Sequence, residues 1–176
     1  MIRIGRGKWK GHILRPTRNL CRPTSSFLRA AALDIAGKEI IRSRQIWDLC
    51  SGTGAVGLEA LSWGAESCVF VDRNPAALAF TRAFLKERSA EDLGVTIRDD
   101  LRRYINRASR MADMIFLDPP YSAKDLYDWI DGTNWGSCVR EGGVVFAEAG
   151  TETEMSGDWR KRKYGSSVLY WKWIGR

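Results

Sequence analysis

Apolar positions fall along this chain in two rhythms. Short apolar stretches occur in "QIWDLC" (45–50), "SCVFVD" (67–72), "GVTIRDD" (94–100), "ADMIFLDPPY" (112–121) and "GGVVFAEAG" (142–150), and they are continuous at Val69–Val71, Ile115–Leu117 and Val144–Phe146. Such runs read as strands buried on both faces, as in a parallel sheet. Between them lie segments with apolar residues three or four apart, the period of a helix with one buried side. These are "SGTGAVGLEALSWG" (51–64), "NPAALAFTRAFLKERS" (74–89), "LRRYINRAS" (101–109) and "AKDLYDWIDG" (123–132). Asn74 and Pro75 are a cap and a first helical residue. A further helix is expected from Phe27, with Thr24, Ser25 or Ser26 as cap and Gly37 as stop. The tail from Asp158 to Ile174 alternates around Gly165-Ser166, a hairpin signal. Strand–helix alternation with right-handed crossovers gives an α/β doubly wound sheet. Five parallel strands and the hairpin make seven.

The chain has 176 residues, so one domain is expected. Its four cysteines are far apart and it has one histidine, so neither a disulfide framework nor a metal site is expected. No secretory core or membrane span is evident, and a cytoplasmic monomer is the expectation. Charge changes the picture more. The net charge is +7, and the first 33 residues hold eight Lys/Arg and no acid. That concentration points to a polyanionic partner. Within it, "RIGRGKWKGHIL" (3–14) mixes basic and apolar residues and reads as a short basic hairpin. Residues 1–24 are therefore expected to form an arm that contacts RNA, and 25–176 the globular body. Arg3, Arg6, Lys8, Lys10, Arg15, Arg18 and Arg22 are the candidate phosphate contacts, with Trp9 available to stack on a base.

Gly52, Gly54 and Gly57 fit G-x-G-x-x-G between a strand and a helix, and Asp72 ends the next strand 20 residues after Gly52. The first glycine permits a tight turn, the second a close ligand, the third close helix–strand packing. Asp72 could accept both hydroxyls of a ribose. The fingerprint alone suits NAD. Asp48 argues otherwise, because a carboxylate beside the loop repels a pyrophosphate and suits a cationic amino group. Asp100 could accept an adenine amino group, or Asp99 and Asp100 could simply cap the following helix. S-adenosylmethionine carries ribose, adenine, amino group and sulfonium without phosphate.

"MIFLDPPYS" (114–122) then gains a purpose. Two prolines stiffen the turn after a strand that should end in the same crevice. The Asp118 side chain and the Pro119 carbonyl could accept the two N–H bonds of an exocyclic amino group. That would hold it for in-line attack with little reorganisation. Tyr121 offers a face to an extruded base.

"DPPY" together with "DLCSGTGAVGLEALSWGA" resembles amino-group methyltransferases that use S-adenosylmethionine. With "RIGRGKWKGHIL" and "RPTSSFLRAAALDI" (22–35) the chain resembles the RsmD family, guanine-N2 methyltransferases of 16S rRNA, over about residues 3–148. The resemblance implies a Rossmann-like class I methyltransferase fold and a small-ribosomal-subunit substrate in a bacterial cytoplasm. By position it assigns the cofactor to Asp48, Cys50, Ser51, Gly52, Thr53 and Gly54, to Asp72 with Arg73, and to Asp100 with Leu101. It adds Asp118 and Thr24 of the Arg22-Pro23-Thr24 element. Catalysis falls to Asp118, Pro119, Pro120 and Tyr121. The family commonly has Phe-Ala where Cys50-Ser51 stand, a departure that removes no functional group. An adenine-N6 methyltransferase and an NAD-dependent oxidoreductase stay open as alternatives.

Overall fold

A computed structural model describes residues 2–16 and 25–176. After a two-stranded hairpin, β1 (Ile2–Arg3) and β2 (Ile13–Leu14), come α1 (Ser26–Ala36) and the short α2 (Lys38–Ile41). Next follow β3 (Gln45–Leu49), α3 (Ala55–Trp63), β4 (Ser67–Asp72), α4 (Pro75–Lys86) and β5 (Gly94–Arg98). The chain continues through α5 (Leu101–Arg107), β6 (Ala112–Leu117), α6 (Lys124–Gly132) and β7 (Val139–Gly150), and closes with β8 (Arg160–Tyr164) and β9 (Ser167–Trp173). The seven-stranded sheet runs β5-β4-β3-β6-β7-β9-β8, parallel from β5 to β7 and antiparallel beyond. This is the Rossmann-like class I methyltransferase architecture, its order reversing between β3 and β6.

Alternate residues of each strand feed two apolar layers. Ile46, Phe70, Phe116 and Phe146 face α1, α3 and α4, while Trp47, Val71, Ile115 and Val145 face α5 and α6. Every residue of β6 is buried. That explains why the central strands carry no polar alternation. The helix signals operate locally as read. Ser25 accepts the Leu28 N–H, Asn74 accepts the Ala76 N–H ahead of Pro75, and Gly37 (φ 77°) and Gly64 (φ 112°) end their helices. Two features differ from the sequence reading. α2 adds a turn after Gly37, and β7 begins at Val139, with a register shift opposite Ala112 and Met114.

The basic arm opens as the short hairpin expected, and its base is packed into the body. Its strands are two residues each, and Ile2, Ile4, Trp9 and Leu14 belong to the same core as α1 and α3. The Ser62 carbonyl accepts the Lys8 N–H at 2.8 Å, and the Ser62 hydroxyl accepts the Trp9 N–H at 2.8 Å while donating to the Arg6 carbonyl at 2.6 Å. Gly7, at φ 78°, lies so close to this helix end that a Cβ would sit 1.8 Å from the Ser62 oxygen. The arm is strapped to α3.

Candidate active site

The order of strands reverses between β3 and β6, and loops leaving their carboxyl ends part there and leave a crevice. The Asp118 N–H reaches across it to the Leu49 carbonyl at 3.3 Å. A cavity of about 340 Å³ opens at this point. From the sequence-predicted cofactor set, Cys50, Ser51, Gly52, Thr53, Asp72, Arg73, Asp100, Leu101 and Asp118 line it. Asp48 and Gly54 do not, and Thr24 lies outside the described residues. Pro120, expected in catalysis, also lines it, and five lining residues had no expected role in the site: Val71, Asn74, Asp99, Ala123 and Leu126.

The loop owes its shape to left-handed backbone. Cys50, Gly52 and Gly54 have φ of 58°, 50° and 69°. Gly54 was expected to admit a ligand. Packing also requires glycine there, because a Cβ would come within 2.7 Å of the Thr81 hydroxyl. Gly57 behaves as read: a Cβ would meet Phe70 at 2.4 Å and the Cys68 sulfur at 2.5 Å, so glycine sets the α3–β4 contact.

Asp72 is aimed by the backbone. Its two oxygens accept the Gly52 N–H at 2.7 Å and the Asn74 N–H at 2.8 Å. A carboxylate has about four acceptor directions, so this fork keeps capacity for a diol while its rotamer is fixed. Asp100 does cap α5, accepting the Arg102 N–H at 3.0 Å through Oδ1, and its Oδ2 lies 3.8 Å from Arg73. Asp99 is buried against Arg107 at 2.6 Å.

Asp48 lies behind the loop, 2% exposed, with Oδ2 accepting the Gly57 N–H at 2.9 Å. Burial pushes its carboxyl up to about 8; the Gly57 bond opposes this, and Asp118 and Asp72 reinforce it. Burial likewise pushes the Cys50 thiol far up, which removes any nucleophilic role at neutral pH.

The Pro119–Pro120 elbow is braced from beneath by two residues with no sequence-predicted role. The buried Tyr127 hydroxyl lies 3.1 Å from the Pro119 carbonyl and 3.0 Å from that of Glu148, tying α6, the elbow and β7 together. Glu148 is 4% exposed, and its Oε1 accepts the Tyr121 O–H at 2.7 Å, with the Ser167 hydroxyl 2.6 Å from the same phenol oxygen. The Tyr121 ring packs on Gly150, where a Cβ would come within 3.1 Å. Burial raises the Tyr121 phenol to about 12, assisted by Glu148 and opposed by Ser167; it raises Tyr127 further, so both stay protonated donors. Glu148 had a legible signal: like Asp72 and Asp118, it is an acid at the end of a buried apolar strand.

None of the arm's described residues, 2–16, lines this cavity. The arm's tip meets the carboxyl end of α3, which starts at the glycine loop and carries the chain about 12 Å away at 1.5 Å per residue. Arg6 pairs with Asp34 at 2.6 Å and with buried Glu59 at 3.3 Å, so its charge is engaged internally. Trp9 is buried edge-on against Phe84, which corrects its assignment as a stacking surface. Arg3, Lys8, Lys10 and Arg15 are exposed; Arg18 and Arg22 lie outside the described residues.

Residues 2–173 match the family described as conserved hypothetical protein 95. The chain is 32% identical over 152 residues to the "Ribosomal RNA small subunit methyltransferase D" of Buchnera aphidicola, covering 84% of this chain and 75% of that protein. A hypothetical protein of Thermus thermophilus superposes with a TM-score of 0.82 at 23% identity, covering 99% of this chain and all of that one. The T. thermophilus 16S rRNA N2 G1207 methyltransferase (RsmC), in complex with AdoMet and guanosine, gives 0.70 at 19% identity, covering 90% of this chain and 44% of that one. The strand order, the glycine loop and the DPPY elbow agree with the match over nearly the whole chain, and the chain belongs to the conserved hypothetical protein 95 family, that of RsmD.

Proposed function

We propose that this protein transfers a methyl group from S-adenosylmethionine to the exocyclic N2 of a guanine in 16S rRNA, acting on the small ribosomal subunit or an assembly intermediate. One observation carries the reading: a proline-stiffened, acid-bearing elbow opens onto a cavity whose opposite wall holds a backbone-fixed diol acceptor, Asp72. The names of relatives as rRNA methyltransferases support it.

The residues present fit the cofactor. The cavity lies within the roughly 300–1,000 Å³ of small-molecule sites. Among the described residues, Asp72, Asp99, Asp100 and Asp118 line it against one basic side chain, Arg73. Such a wall favours a cation and opposes a pyrophosphate. Asp48, on which the sequence reading relied, adds little charge to that wall, because burial raises its carboxyl to about 8. Asp72 would take the ribose hydroxyls, Asp100 Oδ2 the adenine amino group, and Leu101 and Leu126 the purine face. When bound, S-adenosylmethionine supplies an electrophilic methyl on a cationic sulfur.

The chain's own work is positioning. A planar amino group is a poor nucleophile because its lone pair is delocalised into the ring. Asp118 and the Pro119 carbonyl accept its two N–H bonds and favour the tetrahedral nitrogen. The Tyr127 bond uses one acceptor direction of that carbonyl and leaves the other. No strong base is needed beforehand, and Asp118 would take the proton shed afterwards. Tyr121, fixed by Glu148 and Ser167, gives the base a rigid ring edge or face.

The test is transfer of labelled methyl groups to naked 16S rRNA, small subunits, 70S particles and DNA, followed by nucleoside analysis. Label on N2 of guanine in small subunits lacking the modification is expected. Label on adenine N6, or in DNA, would overturn the substrate assignment.

A further inference from the structure

The arm holds only part of the exposed basic charge, and the closing hairpin holds another. In β8, register places Arg160 opposite Trp171 and Arg162 opposite Leu169, so both arginines share the face that carries Trp171 and Trp173. Lys161 and Lys163 project from the other face, where Lys161 is paired with Glu154 at 2.8 Å. Among the described residues, Arg160 and Arg162 have no carboxylate partner within 4.0 Å; Arg162 lies 5.6 Å from the Tyr164 ring. Trp171 and Trp173 are half-buried, and with Arg160, Arg176, Ile35 and Asp158 they line a depression of about 650 Å³. The Arg176 guanidinium stacks 4.0 Å over Trp173. Among the described residues, the one acidic side chain in the depression, Asp158, lies 3.4 Å from Lys172.

Position matters as much as composition. β9 begins at Ser167, whose hydroxyl contacts Tyr121 of the elbow. The stripe therefore starts at the rim of the proposed reaction site, at Tyr164 and Ser167, and descends the sheet through Arg162 to Arg160 and Trp171. A charged edge strand commonly serves only to prevent edge-to-edge pairing. That role explains Lys161 and Lys163 as well as Arg160 and Arg162. It does not call for two half-exposed tryptophans interleaved with arginines on one face. Alternating cations and aromatic faces are what an unpaired nucleic-acid strand requires, with phosphates on the cations and bases on the rings.

We propose that this face of β8–β9 is a second RNA platform. It takes an unpaired rRNA segment leading away from the target base, with Arg160 and Arg162 on phosphates and Trp171 and Trp173 under bases. The proposal rests on the function given above.

The experiment compares two double variants of equal charge change on opposite faces, R160Q/R162Q and K161Q/K163Q, in the full chain. Affinity for a 16S rRNA fragment is read as a function of salt, with S-adenosylmethionine affinity by calorimetry as a check on folding. The arginine pair should weaken RNA binding about tenfold and flatten the log–log salt dependence by about 1.4, for two single-strand phosphate contacts at about 0.7 each. The lysine pair should change affinity less than twofold, and both should bind S-adenosylmethionine as wild type does. Equal losses from the two pairs, or none from the arginine pair while wild type still methylates small subunits, would overturn the platform alone. A wild-type protein that neither binds nor methylates rRNA would overturn the proposed function and this platform with it.

Discussion

Asp118 and Asp48 are both acids at strand ends, and their surroundings give them opposite work. Asp118 faces the cavity, so Asp118→Ala should lower the transfer rate by roughly 100- to 1,000-fold, the usual cost of losing one preorganised polar partner. S-adenosylmethionine affinity by calorimetry should stay within a few-fold; a large loss would mean that Asp118 serves the cofactor instead. Asp48 is buried, and its carboxyl is raised from 3.8 to about 8. Between those values the folded protein retains a proton that the unfolded chain has lost, so this group makes stability fall as pH rises from about 4 to about 8. Asp48→Asn keeps an acceptor for the Gly57 N–H and cannot ionise. The variant should therefore gain thermal stability over wild type progressively from pH 5 to about pH 8 and level off above it. A melting-temperature difference independent of pH would contradict the assignment. Asp72 and Asp118 were legible from position alone. The burial of Asp48 was not, because the sequence shows a carboxylate next to a loop but not which way it points.

Elements were legible where a local rule fixes them. Asn74-Pro75, Ser25 and Gly37 each start or stop a helix within their own turn, and Gly165-Ser166 sits between two alternating runs. What stayed hidden depends on residues distant in sequence. The Ser62 clasp on the arm joins positions 53 residues apart, and the Tyr127 brace joins α6 to the elbow and β7. Gly57 belongs to the legible class, and its packing gives a sharp expectation. Gly57→Ala places a methyl against Phe70 and Cys68 in a filled layer. It should cost about 1–3 kcal/mol, or roughly 2–9 °C of melting temperature in a domain of this size. A neutral or stabilising effect in thermal denaturation would show that α3 can move off β4.

At the scale of the whole molecule, the described part of the arm shares its core with the body. Buried Glu59 on α3 pairs with Arg29 of α1 at 2.6 Å and with Arg6 of the arm at 3.3 Å, while Arg29 also donates to the Arg3 carbonyl at 2.8 Å. Composition showed the arm's charge and could not show that part of it is spent on this network. Glu59→Gln leaves Arg29 buried without its anion, so unfolding in urea should lose about 3–5 kcal/mol. Arm and body should still melt together. A separate early transition for the arm, seen as proteolysis within the first 16 residues before the body unfolds, would contradict a shared core.

The proposed activity turns on whether the crevice between β3 and β6 is a seat for a sulfonium nucleoside. Titration calorimetry of the purified protein with S-adenosylmethionine and, separately, with NAD tests that most directly, with Asp72→Ala run beside wild type. One molecule of S-adenosylmethionine should bind per chain, at least tenfold more weakly in the variant, and NAD should give no binding heat. Uptake of NAD with indifference to S-adenosylmethionine would contradict the account at its root.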